Sequence, residues 1–138
     1  MRRPWLLALL AFGGVAVAAP AALAPGLPPE LSGTWLNPHR SVAVRTGRCG
    51  ALLCGWIVWV TAEAAQDARD GGVANPVGTE VLRDYRPGSD GRWRGTVYVV
   101  DLGRSFSSAL EPLGDGRLKI SGCLVGGLIC KSQIWRRS

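Results

Sequence analysis

A single histidine, His39, stands in the 138 residues, and that scarcity narrows the chemistry at once. General acid–base work near neutral pH draws first on histidine. His39 follows Pro38 in an apparent turn, with no neighbouring acid to orient it. No histidine pair at helical spacing exists to hold zinc. A Gly-x-Ser-x-Gly elbow is absent, and Arg104-Ser105-Phe106-Ser107-Ser108 reads as the polar face of a strand. No glycine loop has a phosphate-cradling pattern. Glu63, Asp67 and Asp70 lack the alternating oxygen ligands of a calcium loop and read as a solvated, charged stretch. Basic residues come singly or in pairs (Arg92/Arg94, Arg136/Arg137), not as a stripe, so nucleic acid is not an expected partner. The expectation is a non-enzymatic protein, with no catalytic residue, metal or cofactor.

What is present begins with an apolar start. Arg2 and Arg3 precede a nearly uninterrupted apolar run from Trp5 to Ala24, with small-x-small sites at Ala16-Val17-Ala18 and Ala22-Leu23-Ala24. This reads as a cleaved secretory signal over residues 1–24, placing the mature chain in the periplasm or outside the cell. No transmembrane segment is expected after cleavage. Residues 25–32 read as a Pro/Ala/Gly linker, and 33–138 as one domain. Without Arg2 and Arg3, fourteen basic residues face ten acidic ones, a charge of +4. Such a surplus suits solubility and attraction to anionic envelope polymers.

Export gives the four cysteines their meaning, because an even set in an oxidising compartment reads as disulfides. Of three possible pairings, Cys49–Cys54 and Cys123–Cys130 are the local ones, each stapling a hairpin for about 2–2.5 kcal/mol in the chain-entropy model. From Cys54 runs Gly-Trp56-Ile-Val-Trp59-Val-Thr61, apolar on both faces: Trp56 and Val58 on one, Ile57 and Trp59 on the other. Val42 and Val44 alternate with Ser41 and Arg45, and Trp93, Val97 and Val99 with Arg94, Thr96 and Tyr98. Ala62–Gly78 breaks the pattern and reads as a long loop, with at most one helical turn before Gly71-Gly72 and Pro76. About eight short strands with evenly spaced turns predict an all-β fold, a small antiparallel barrel or sandwich. Closure into a barrel would remove exposed edges.

Gly33-x-Trp35 opens the first strand and Trp135-Arg136 ends the last. Trp35 and Arg136 are thus the expected closure pair, a guanidinium on an indole face; the alternative is that Trp35 is a plain core residue. The arrangement resembles the lipocalin-like barrels, whose Gly-x-Trp signature meets an arginine of the last strand. Over Leu31 to the C-terminus the chain also resembles the bacterial exported family called domain of unknown function 2147. That resemblance rests on Gly33-x-Trp35, Cys49-Gly50-x-x-Leu53-Cys54-Gly55-x-Ile57-Val58-Trp59, Gly91-Arg92-Trp93-x-Gly95, Tyr98, Leu118, Gly122-Cys123 and Cys130 through Trp135-x-Arg137. It implies a small β-barrel and no established activity. The chain departs from the family pattern where Val99-Val100 follow Tyr98, and where the stretch after Asn75-Pro76 lacks the usual basic residues.

The tryptophans supply the candidate contacts. Trp35, Trp56, Trp59, Trp93 and Trp135 are many for so small a domain, and tryptophan favours sites apolar at one end and wet at the other. With strict alternation Trp56 and Trp59 take opposite faces, so one looks outward or under the 62–78 loop. Trp56, Trp59, Trp93 and Tyr98 are the expected contacts of a ligand or partner. The first reading is a periplasmic barrel that binds a small apolar, lipophilic or aromatic ligand beneath that loop. The alternative is an interaction or inhibitor-like module on an envelope enzyme or cell-wall polymer.

Overall fold

A computed structural model describes residues 13–17, 27–124 and 128–138. The signal reading of residues 1–24 falls mostly outside them. Eight strands form a closed antiparallel barrel in chain order: β1 Gly33–Leu36, β2 Val42–Cys49, β3 Leu52–Val60, β4 Glu80–Pro87, β5 Trp93–Val99, β6 Arg104–Gly114, β7 Arg117–Leu124 and β8 Ile129–Arg137. The two local disulfides also form as expected. Cys49–Cys54 pins the β2–β3 hairpin at one end of the barrel. Cys123 and Cys130 face each other across β7 and β8 toward the other end.

Three expectations need correction. The stretch read as a loop holds a nine-residue helix, α1 (Ala62–Asp70). Thr61 caps it, its hydroxyl accepting the Ala64 N–H at 3.1 Å. Glu63 in the first turn and Arg69 in the last suit the helix dipole. Alanine provides helix propensity without a strong apolar stripe, so periodicity did not reveal it.

The second concerns the linker. Its last residues join the fold: Pro29–Leu31 make one 3₁₀ turn, and Leu31 is wholly buried in the core.

The third concerns closure. The guanidinium over the Trp35 ring belongs to Arg137, 4.6 Å from the ring centroid, and not to Arg136. Trp35 pairs directly with Arg137, and Leu36 with Arg136. Side chains alternate along a strand, so Arg137 shares the inner face with Trp135 while Arg136 points out.

Arg137 organises the closed end. Its Nη2 donates to the Pro29 carbonyl at 2.9 Å and its Nη1 to that of Ser32. The guanidinium lies so close over Gly33 (φ 137°) that a Cβ there would meet Nη1 at 2.5 Å. That explains the glycine of Gly33-x-Trp35. Trp35 Nε1 donates to Thr46 Oγ1 at 3.1 Å, and the Thr46 hydroxyl in turn donates to the Leu31 carbonyl. Above this floor Leu53, Tyr85, Leu110 and Leu118 are wholly buried, with Trp93 packed beside them. A Cβ at Gly95 would lie 2.8 Å from the Tyr85 ring, so the glycine makes room for the tyrosine. Burial holds the Tyr85 phenol well above its ordinary pKa; Ser108 lowers it only in part, without a hydrogen bond of normal geometry.

If Arg137 closes the barrel, Arg137→Ala should cost about 2–3 kcal/mol of unfolding free energy, from a lost cation–π contact and two charged hydrogen bonds. Arg136→Ala should cost under about 0.5 kcal/mol, as an outward surface change. Urea titration of the oxidised protein separates the two, and equal losses would refute the assignment.

Candidate ligand site

The barrel is filled at one end and hollow at the other. Strand direction places β1–β2, β3–α1–β4, β5–β6 and β7–β8 at the open end. There a cavity of about 780 Å³ reaches into the barrel. Its walls are Val42, Val44, Ile57, Leu82, Val97, Phe106 and Ile120, most of them inward residues of their strands. Around the rim stand Asn37, His39, Ser41, Glu63, Asp67, Asp101, Lys131 and Gln133. On β8 the inner face runs Lys131, Gln133, Trp135, opposite Gly122, Ile120 and Leu118. Gln133 accepts the Trp135 indole N–H at 2.8 Å.

Helix α1 forms part of this mouth through Thr61, Glu63, Ala64 and Asp67. It is held at both ends. Thr61 N–H donates to the Ser41 carbonyl at 2.9 Å. At the other end Gly71 sits against the β5–β6 turn, where a Cβ would lie 2.1 Å from the Val100 carbonyl oxygen. Gly103 answers it, since a Cβ there would lie 2.5 Å from the Gly71 oxygen. Gly71 has an ordinary φ of −81°, so glycine is required here for space. The returning segment is tied to β3 by Gly78 N–H to Ile57 O at 2.8 Å and Ile57 N–H to Thr79 O at 3.0 Å.

Among the expected contact residues, only Tyr98 lines the cavity, at its rim. Its ring carries the Arg83 guanidinium at 4.7 Å. Trp93 lies inward but near the closed end, opposite Leu110 and Pro87. Trp56 and Trp59 do not take opposite faces. A bulge in β3 pairs Val44 with Ile57 and Ala43 with Trp59, leaving Val58 as the extra residue. Trp56, opposite the outward Arg45, and Trp59 therefore both stand on the outer surface, Trp59 with 48% exposure. Trp56 lies over Gly47, where a Cβ would come within 3.2 Å of its ring.

Sequence reasoning missed Phe106, Trp135, Gln133 and Lys131 as lining residues. The inward parity of β6 and β8 was the available signal. His39, read as a surface turn residue, is exposed and stands on the rim. Cys49, Cys54 and Asp84 form a close set of potential metal ligands, but the two sulfurs are bonded to each other and present no thiolate. The Asp90 carboxyl is held well below the usual carboxylate range by hydrogen bonds from Arg94, at 2.6 and 3.1 Å. That pair joins the β4–β5 turn to the start of β5, away from the cavity. Among the described residues no helix is long and apolar enough to cross a membrane.

Comparison with known proteins bears on this geometry. The family described as an uncharacterized protein conserved in bacteria, DUF2147, matches residues 33–137. A solved structure titled as protein HP1028 from the human pathogen Helicobacter pylori, belonging to the lipocalin family, is similar with a TM-score of 0.60 and 12% identity. The match covers 78% of this chain and 82% of that one. At that identity the likeness concerns the fold: a lipocalin-like barrel. No curated protein matches the sequence.

Gly71→Val should unseat the end of α1, raising amide hydrogen exchange over residues 62–71 by about ten-fold or more while amides of the core strands stay protected. Unchanged exchange in α1 would show that the contact with the β5–β6 turn does not hold the helix.

Proposed function

The chain belongs to the DUF2147 family of bacterial proteins, and within that frame we propose that it is an exported, non-enzymatic barrel that binds a small, largely apolar ligand. The observation that carries this reading is the division of the interior into a packed floor and a cavity of about 780 Å³ under α1. That volume falls in the range of small-molecule sites, about 300–1,000 Å³, which pair apolar walls with a few polar groups. The lipocalin-like fold supports it as well. Export is supported by the signal-like residues 1–24 and the two disulfides. The non-enzymatic part rests on side-chain chemistry: a lone, exposed His39, and cysteines bonded in pairs.

N-phenyl-1-naphthylamine, a neutral apolar dye, tests the cavity. The oxidised mature chain should bind it saturably, with fluorescence enhancement and quenching of tryptophan. Gly122 lines the cavity, and a Cβ there would make only an ordinary 3.7 Å contact with Val97. Gly122→Leu should therefore fill the space, weakening the dye by about ten-fold or more while the protein stays folded. No saturable binding, or binding indifferent to Gly122→Leu, overturns the reading.

One observation favours the second reading, an interaction module. The β3 bulge presents Trp56 and Trp59 together on the outer face, beside Arg45. Here Trp59→Ala should abolish sedimentation with purified cell-wall polymer yet leave dye binding intact. Unchanged sedimentation, or none with either protein, would remove this alternative.

A further inference from the structure

Resting on the cavity reading above, we propose that the ligand is a cationic amphiphile: an aliphatic or aromatic body ending in an amine or quaternary ammonium group. The chain as a whole is basic, with 16 lysines and arginines against 10 acidic residues. The cavity reverses that sign. Glu63, Asp67 and Asp101 line it, against Lys131 as the one lysine or arginine. In a protein with more positive than negative side chains, that is the opposite of what chance placement would give.

The placement is specific as well as the count. Glu63 and Asp67 lie one helical turn apart and face the same side of α1. Asp101 belongs to the β5–β6 turn on which the C-terminal end of that helix rests. The carboxylates thus belong to the covering element and its seat, with Lys131 on β8. Glu63 has a second role, since an acid in the first turn suits the helix dipole; Asp67, in mid-helix, and Asp101, in a turn, have none of that kind. The cation of α1 is engaged elsewhere, because Arg69 donates to Gln66 at 2.9 Å. The ion pairs Arg92–Glu111 and Arg94–Asp90 lie toward the closed end.

Below the rim the wall is uncharged: Val44, Ile57, Leu82, Val97, Phe106 and Ile120. A ligand whose apolar body fills that depth must leave its polar group at the rim, beneath the carboxylates. Three carboxylates against one ammonium leave a surplus of negative charge at the rim, and low-dielectric walls strengthen its field on such a group. An ammonium is attracted there. A fatty-acid carboxylate meets like charge, which is a means of exclusion as much as of selection.

The test is competition against N-phenyl-1-naphthylamine by three compounds of one chain length, each below its micelle concentration: dodecyltrimethylammonium, dodecanol and dodecyl sulfate. The ammonium compound should displace the dye about ten-fold more tightly than the sulfate at low salt, and the gap should narrow at high salt. The E63Q/D67N double variant should reduce the ratio to about three-fold or less, whereas D115N, in the β6–β7 turn at the closed end, should leave it unchanged. Equal displacement by all three, or preference for the sulfate, overturns the charge assignment and leaves the cavity standing. If the dye itself fails to bind, the cavity reading falls first and the charge assignment with it.

Discussion

The contact of the Arg137 guanidinium with the Trp35 ring is the constraint on which the rest depends. β1 is only four residues long and meets β8 at two register positions, so a short ladder must close an eight-stranded barrel. Hydrogen bonding alone is thin at such a seam. The arginine adds a stacked cation and two bonds to the carbonyls of the preceding turn. It thereby ties the N-terminal entry, the first strand and the last strand into one floor. Gly33 is the local consequence, because a side chain there would occupy the place of the guanidinium.

Once that seam is set, the register of β8 decides which of its residues face inward. Arg137, Trp135, Gln133 and Lys131 then descend from floor to mouth along one face. The same logic separates the packed half from the hollow half. Near the floor, large rings fill the interior, and Gly95 withdraws to admit Tyr85. Toward the mouth the inward residues are mostly valine, leucine, isoleucine and glycine, with Phe106 the one ring of β6 among them, and they line a cavity instead of filling it. A helix whose cavity side carries Glu63, Ala64 and Asp67 completes the mouth without filling it, and the glycines at positions 71 and 103 let it approach the turn it rests on.

Much of this was legible from residue order. Alternation along Val42–Val44 and Trp93–Val99 assigned faces that the register bears out. Local spacing, with an even cysteine count read as that of an exported chain, proposed both disulfides. The errors have definite causes. One residue of parity separates Arg136 from Arg137, and parity counted from a sequence has no anchor until the partner strand is known. The β3 bulge carries Trp59 to the face already held by Trp56, and a bulge leaves little trace in a run where every residue is apolar. Helix α1 went unseen because the face it covers is made of alanines, too weakly apolar to stand out as a helical period, although its Thr61 cap was there to be read.

The chain's order of residues thus determined the number of strands, the hairpin staples and the class of fold, because a two-residue period and a tight turn are local properties. Only the tertiary structure decided that the barrel is hollow at one end, that the helix stands at that end, and that the paired tryptophans lie outside. Those outcomes depend on which side chains meet across the interior, and that is fixed by the register among distant strands.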